Sequence, residues 1–247
     1  MRYECMLPHR IREAIAENWP VALAAGVLEY HAEHLPVGVD TLLVERALLA
    51  LDAETKMVLL PTLYYGPATY CVAKPEQNGS LHIDSAVLHP FARDIFRSLL
   101  RVGFRNIHVF IHHQSENFTA GMPTDLAYKL AARQITFDFL EAQRGEGWWG
   151  DNSMADYYAA HETGSDPFNW IKIHPFMDEA TQKQFPIDHA GKQETSLMMA
   201  FCPELVEMPR LDASHWYCAS ATQANNEYAQ AARVKIMAGL RAAMGLA

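Results

Sequence analysis

Two imidazoles and three carboxylates fall within one short stretch, Glu29-Tyr30-His31-Ala32-Glu33-His34-Leu35-Pro36-Val37-Gly38-Val39-Asp40. Alternate residues of an extended chain point to the same side, so Glu29 and His31 can face a common point. Asp40 follows after a loop long enough to fold back beside them. A carboxylate, an imidazole and a second carboxylate that converge form a donor set suited to a divalent metal. Directly upstream, residues 21–28 (VALAAGVL), bounded by Pro20, read as a buried strand of a parallel sheet. Ligands of open α/β sheets gather at the carboxyl ends of strands, where Glu29 and His31 would lie.

Two further polar blocks follow in the chain. His112-His113-Gln114-Ser115-Glu116-Asn117 comes straight after the mainly apolar residues 106–111 (NIHVFI), which read as a second buried strand. Asp188-His189-Ala190-Gly191-Lys192-Gln193-Glu194-Thr195-Ser196 is the third. Taken singly, any one of these side chains reads more readily as a hydrogen-bonded or surface residue. His9, His82, His89, His108, His161, His174 and His215 keep that structural reading.

The first block, E-x-H-x-x-H-L-P-x-x-x-D, resembles the opening motif of the creatininase (creatinine amidohydrolase) family, E-Q-H-G-P-H-L-P-x-x-x-D. The resemblance implies a two-metal centre in which Glu29 serves one ion, His31 the other and Asp40 both. It places His34 beside them in a supporting, pocket-lining position, while Tyr30 and Ala32 replace the usual Gln and Gly. The second block is similar to the family's G-F-R-x-I-x-x-x-N-G-H-x-x-N. Aligned on Asn117 it keeps Glu116, puts Gln114 where the family has His, and leaves His113 one residue early. His113 and Glu116 are therefore expected as ligands, with His112 and Gln114 contacting metal or substrate. The third block matches H-A-G-x-x-E-T-S, which implies that His189 is the general acid/base and that Glu194 orients it or supports the metals. Thr195 and Ser196 would begin and cap the following helix.

The resemblance implies zinc or manganese, two ions per subunit, activating water toward the carbonyl of a small cyclic amide. Tyr65, in the place of the family's Y-G element, and Trp149 are candidates for the substrate-binding wall. Creatininase proper carries a Trp-Asp pair before the catalytic His. Phe185 and Pro186 stand there in this chain and argue against creatinine itself. Ring-opening C–C hydrolysis of a keto-inositol is one alternative. A non-catalytic metabolite-binding protein with a degenerate metal site, given Gln114, is another.

These blocks need a scaffold, and the composition suits one. Half of the 247 residues are hydrophobic, and no linker or low-complexity tract divides them, so a single domain over residues 1–247 is expected. A formal net charge of -9 without a basic cluster argues against nucleic acid as a partner. No apolar run approaches bilayer length and no secretory leader is visible, so no membrane partner and a cytoplasmic setting are expected. Cys5, Cys71, Cys202 and Cys218 are scattered and read as reduced thiols.

The patterning predicts helices over residues 10–18, 41–53, 88–102, 126–143 and 225–246, the third stopped by Gly103. Strands are predicted over 57–63, 80–83 and 106–111 besides the first. Residues after Gly145 have mixed character and many aromatic rings. The expected fold is α/β, a creatininase-like domain with a mostly parallel central sheet flanked by helices. By the same resemblance it is a homo-oligomer, often a hexamer, and the aromatic segment after Gly145 could form its subunit contacts.

Overall fold

A computed structural model describes residues 1–246. Four parallel strands lie at its centre, β1 (Val21–Ala25), β2 (Val58–Leu59), β3 (Ile107–Ile111) and β4 (Ile171–Pro175), in the spatial order β2-β1-β3-β4. β1 and β3 pair along their whole length, Val21 beside Ile107 through Ala25 beside Ile111. Both are buried at every position, as expected of strands covered on two faces. The helices are α1 (Pro8–Ala16), α2 (Val39–Asp52), α3 (Ser85–Val102), α4 (Pro123–Arg144), α5 (Tyr157–Glu162), α6 (Glu179–Gln184), α7 (Lys192–Phe201) and α8 (Asn226–Met244).

Strand alternation divides the core between the two faces of the sheet. Ala22, Ala24 and Phe110 pack against Leu43 and Leu48 of α2, Leu197 and Met198 of α7, and Ile236 of α8. Val21, Leu23, Ile107, Val109 and Ile111 face the other way, against Phe96 and Leu100 of α3 and Tyr128 and Ile135 of α4. Each of the Val, Leu, Ile, Phe and Met side chains contributes about 1.5–3 kcal/mol when fully buried, which makes the sheet a firm base for the loops at its carboxyl edge.

The predicted helices are all present with shifted ends. α3 begins at Ser85, ahead of the predicted start, because the Asp84 carboxylate accepts the Ala86 amide as an N-cap. The predicted strand 57–63 shrinks to β2, since Pro61 removes a ladder donor, and only a bridge between Ala25 and Leu63 continues the pairing. Residues 80–83 supply just an isolated bridge, Leu28 to Leu81. β4 was not anticipated: Lys172 and His174 alternate with Ile171 and Ile173 on this strand, at the end of the sheet order, and dilute its apolar signal. Thr195 and Ser196 do not cap α7; they lie buried inside it.

One close approach sets the site. Gly26, just past β1, lets α2 come in so closely that any side chain there would collide with Thr41. Thr41 in turn donates its hydroxyl to the Val27 carbonyl at 3.0 Å. That contact holds the first turn of α2, and with it Asp40, beside the end of β1.

Candidate metal centre

Glu29 and His31 follow β1, His112 and His113 follow β3, Asp40 opens α2 and Glu194 lies in the first turn of α7. All six are buried at the carboxyl edge of the sheet. The Nδ1–H of His31 donates to the Glu29 carbonyl at 2.9 Å, which fixes its tautomer and leaves the Nε2 lone pair pointing inward. That atom faces Asp40 Oδ2 at 3.7 Å and Glu194 Oε2 at 3.4 Å. Neither His31 Nε2 nor Asp40 Oδ2 makes a hydrogen bond. On the other side, His113 Nδ1 lies 3.4 Å from both Glu29 Oε2 and Asp40 Oδ2.

Ligand atoms of Glu29, Asp40 and His113 lie within 4.8 Å of one another, and so do those of His31, Asp40 and Glu194. Asp40 belongs to both groups. A third grouping, Glu29, His31 and His189, overlaps them. Buried lone pairs that face buried carboxylates need a positive charge between them. A proton or a divalent cation can supply it, and a mixed imidazole and carboxylate set without thiolates suits zinc or manganese. With a proton only, burial would keep His31 neutral, but Glu194 and Asp40 outweigh it and push its pKa up to about 10. Burial likewise opposes ionisation of Glu194, yet His31 and His112 hold it well below the usual carboxylate range.

The remaining predicted residues divide. His112 Nε2 lies 3.2 Å from Glu194 Oε1. Gln114 adopts a left-handed backbone, φ 52° and ψ 30°, directly after His113, whose Nδ1 faces Glu29 and Asp40. His189 donates Nε2–H to the Tyr30 carbonyl at 2.9 Å and stacks on His31, ring centroids 4.3 Å apart. A carbonyl only accepts, so Nδ1 of His189 is the ring nitrogen able to take a proton. These residues border a cavity of about 500 Å³ that Gln114, Glu116, Ile187, Asp188, Trp216 and Tyr217 also line.

Several expectations need correcting. Glu194, expected to orient His189 or to support the metals, has its carboxylate in the donor group with His31 and Asp40, and Oε2 also accepts the Ala190 amide at 2.6 Å. Glu116 reaches the cavity from an exposed turn beyond Gln114 and joins none of the donor groups among the described residues. His34 does not line the cavity; its Nε2 meets the Thr195 hydroxyl at 2.9 Å and ties the first loop to α7. Tyr65 is 59% exposed and away from the cavity lining. Trp149 lines a separate aromatic depression with Phe137, Trp148, Tyr157 and Phe168.

The sequence reading missed Asp188, Trp216 and Tyr217. Asp188 accepts the amides of Gly191, Gln193 and Glu194 at 3.3, 2.7 and 3.2 Å, and so caps α7 and anchors Glu194. Burial pushes its pKa up to about 6 against those three hydrogen bonds. An Asp just before a helix was a legible cap signal. Trp216 and Tyr217 come from a distant turn with no local motif.

Sheet, donor groups and cavity together match one family along nearly the whole chain. The creatininase (creatinine amidohydrolase) model covers residues 6–239, and the chain belongs to that family. The creatinine amidohydrolase of Pseudomonas putida is 26% identical over 193 residues, 76% of this chain and 66% of that protein, so the match spans just under two thirds of the relative. Among solved structures, a manganese creatininase superposes with a TM-score of 0.70 at 18% identity, covering 98% of this chain and 96% of the other. A glutamate-to-glutamine creatininase variant complexed with creatine gives 0.71, and a Zn–Zn form of such a variant 0.72, with the same identity and coverage. Zinc and manganese forms of these relatives agree with the two donor groups seen here. These similarities support a metal-dependent hydrolase of the amidohydrolase type.

The exclusion of creatinine on the ground of Phe185 and Pro186 does not stand. The Pseudomonas putida relative bears the name creatinine amidohydrolase, and a structural neighbour is complexed with creatine. Phe185 packs edge-on against Tyr228 of α8, ring centroids 5.0 Å apart, and does not line the cavity. Its identity therefore carries no information about the substrate. The non-catalytic reading rested on Gln114 and falls because His113 completes a donor group with Glu29 and Asp40, and the creatininase relatives point to cyclic-amide rather than keto-inositol hydrolysis. No described helix is long and apolar enough to cross a membrane.

Proposed function

We propose that this protein is a divalent-metal-dependent amidohydrolase that opens a small cyclic amide by addition of water, with creatinine, yielding creatine, as its reference substrate. The observation that carries the reading is the pair of three-donor groups sharing Asp40 under a cavity bordered by His189. Glu29, Asp40 and His113 would hold one ion, and His31, Asp40 and Glu194 the other. A bound divalent pair lowers the pKa of water and polarises a carbonyl. His189, its Nε2–H tied to the Tyr30 carbonyl, takes the proton of the adding water on Nδ1 and returns it to the ring nitrogen as the C–N bond breaks. Asp188 contributes by holding the start of α7, and so Glu194, in place. Glu29 is steadied by the Thr69 hydroxyl, 3.3 Å from Oε1.

The test is creatine formation from creatinine by the purified protein supplied with zinc or manganese. Turnover lost on chelation and restored by metal is expected. Metal-loaded protein that leaves creatinine and other cyclic amides intact would overturn the reading. The same proposal takes residues 1–247 as one domain and a cytoplasmic homo-oligomer, hexameric as the family resemblance implies. Exposed Phe137, Trp149 and Tyr158 support the assembly, and four unpaired cysteines the reducing compartment. Light scattering on the purified chain tests the assembly.

A further inference from the structure

We propose that Trp216 and Tyr217 form the specificity wall of the cavity, Trp216 stacking its indole on the flat face of a planar cyclic amide while Tyr217 braces His189. The inference rests on the amidohydrolase reading and names the substrate class of that same cavity. Trp216 is 89% exposed although it lines the cavity. An indole is mostly covered in folded proteins, because it has a large apolar area to lose to water. An uncovered one at the mouth of a cavity is a surface awaiting a partner.

The turn that carries it is anchored. The Cys218 amide meets the His215 carbonyl at 3.2 Å, the fully buried Cys218 thiol meets the Asp212 carbonyl at 3.3 Å, and the Ser214 amide meets the Asp212 carboxylate at 3.0 Å. Trp216 is thus presented on a fixed backbone. From it, rings run inward to the donors. Trp216 stands at 88° to Tyr217 with centroids 6.1 Å apart, Tyr217 meets the His189 ring at 5.8 Å, and His189 stacks on His31 at 4.3 Å. A flat amide ring held against the indole would share one cavity with Asp40, Glu29, His113 and His189. Open-chain amides offer less flat area to stack.

Trp216→Ala and Trp216→Phe are compared with the unaltered protein in three assays: metal content, creatinine turnover, and quenching of tryptophan fluorescence by creatinine. The wall requires Trp216→Ala to raise KM for creatinine roughly three- to tenfold, with kcat within about twofold and metal content unchanged. Trp216→Phe should recover most of the loss. An unchanged KM in an active Trp216→Ala enzyme overturns the wall and leaves the amidohydrolase reading intact. A changed oligomeric state with unchanged KM assigns Trp216 to a subunit contact and also overturns it. If no protein opens creatinine, the amidohydrolase reading fails for that substrate and quenching decides the wall. Quenching that Trp216→Phe abolishes supports it, and quenching indifferent to that change overturns it.

Discussion

Replacing Asp40 by Asn changes one oxygen to an amide nitrogen and leaves the shape of the site nearly intact. Asp40 is 3% exposed, and its Oδ2 lies 3.4 Å from His113 Nδ1 and 3.7 Å from His31 Nε2. It is the member common to the Glu29–His113 and the His31–Glu194 donor groups, so its charge serves both. Asp40→Asn should therefore lower metal content from about two equivalents to near zero, whereas Glu29→Gln should leave about one. The thermal consequence follows from linkage. An ion present at a thousandfold its Kd stabilises the fold by about 4 kcal/mol. For a chain of this length each kcal/mol moves Tm by about 2–4 °C, so each ion is worth roughly 8–16 °C. Elemental analysis and differential scanning calorimetry, with and without chelator, read both effects. The unaltered protein should lose stability on chelation, and Asp40→Asn should show no response to it. An Asp40→Asn protein that keeps both ions, or a chelator response equal to that of the parent, would refute the shared-ligand geometry.

His189→Ala should reduce turnover about 10²–10⁴-fold while leaving metal content unchanged; a parallel loss of metal would move His189 into the donor shell. Acid stability should depend on His108 and His174, whose Nδ1 and Nε2 are 3.0 Å apart, with His108 Nε2–H donating to Asn106 at 2.8 Å. Burial, with His174 and Lys172 nearby, lowers His108 to about 3, and burial beside Lys172 lowers His174 to about 4. Between about pH 6.5 and 4 the unfolded chain binds these protons and the fold does not, so stability falls as pH falls, by up to about 1.4 kcal/mol per pH unit for each histidine. His108→Gln should flatten that slope in denaturant titrations, and an unchanged slope would place the protonation elsewhere. Ala32, at φ 59°, is a non-glycine residue in left-handed backbone directly after His31. Ala32→Gly should raise stability by up to about 1 kcal/mol with metal content unchanged, and a loss of stability in thermal melts would contradict the strain.

The legible parts of this chain are those where local pattern and tertiary role coincide. β1 is apolar without interruption and β3 is broken only by His108, because both of their faces are covered, and the polar residues that follow them were readable as a strand-end cluster. Asp40 was legible because the first motif has fixed spacing. β4 was not: its alternating Lys172 and His174 resemble loop composition, and only pairing with β3 makes it a strand. The role of His113 was half-legible, since the motif match left it one residue early and only the folded chain shows it facing Glu29 and Asp40. Glu194 was left between two roles because a motif cannot show what it faces, and helix geometry aims it at His31. The inference against creatinine failed for a related reason. It assumed that Phe185 and Pro186 belong to the cavity wall, whereas of the residues before His189 only Ile187 and Asp188 line it, and Trp216 and Tyr217 reach it from a turn that only the folded chain brings near.

Metal content and creatinine turnover measured on one preparation, before and after chelation, test the central claim most directly. About two equivalents of zinc or manganese, ring opening that disappears with the metal, and recovery on its return are the expected result. Creatinine opened equally well by the metal-free protein, or a fully loaded protein inert toward every cyclic amide offered, would contradict it.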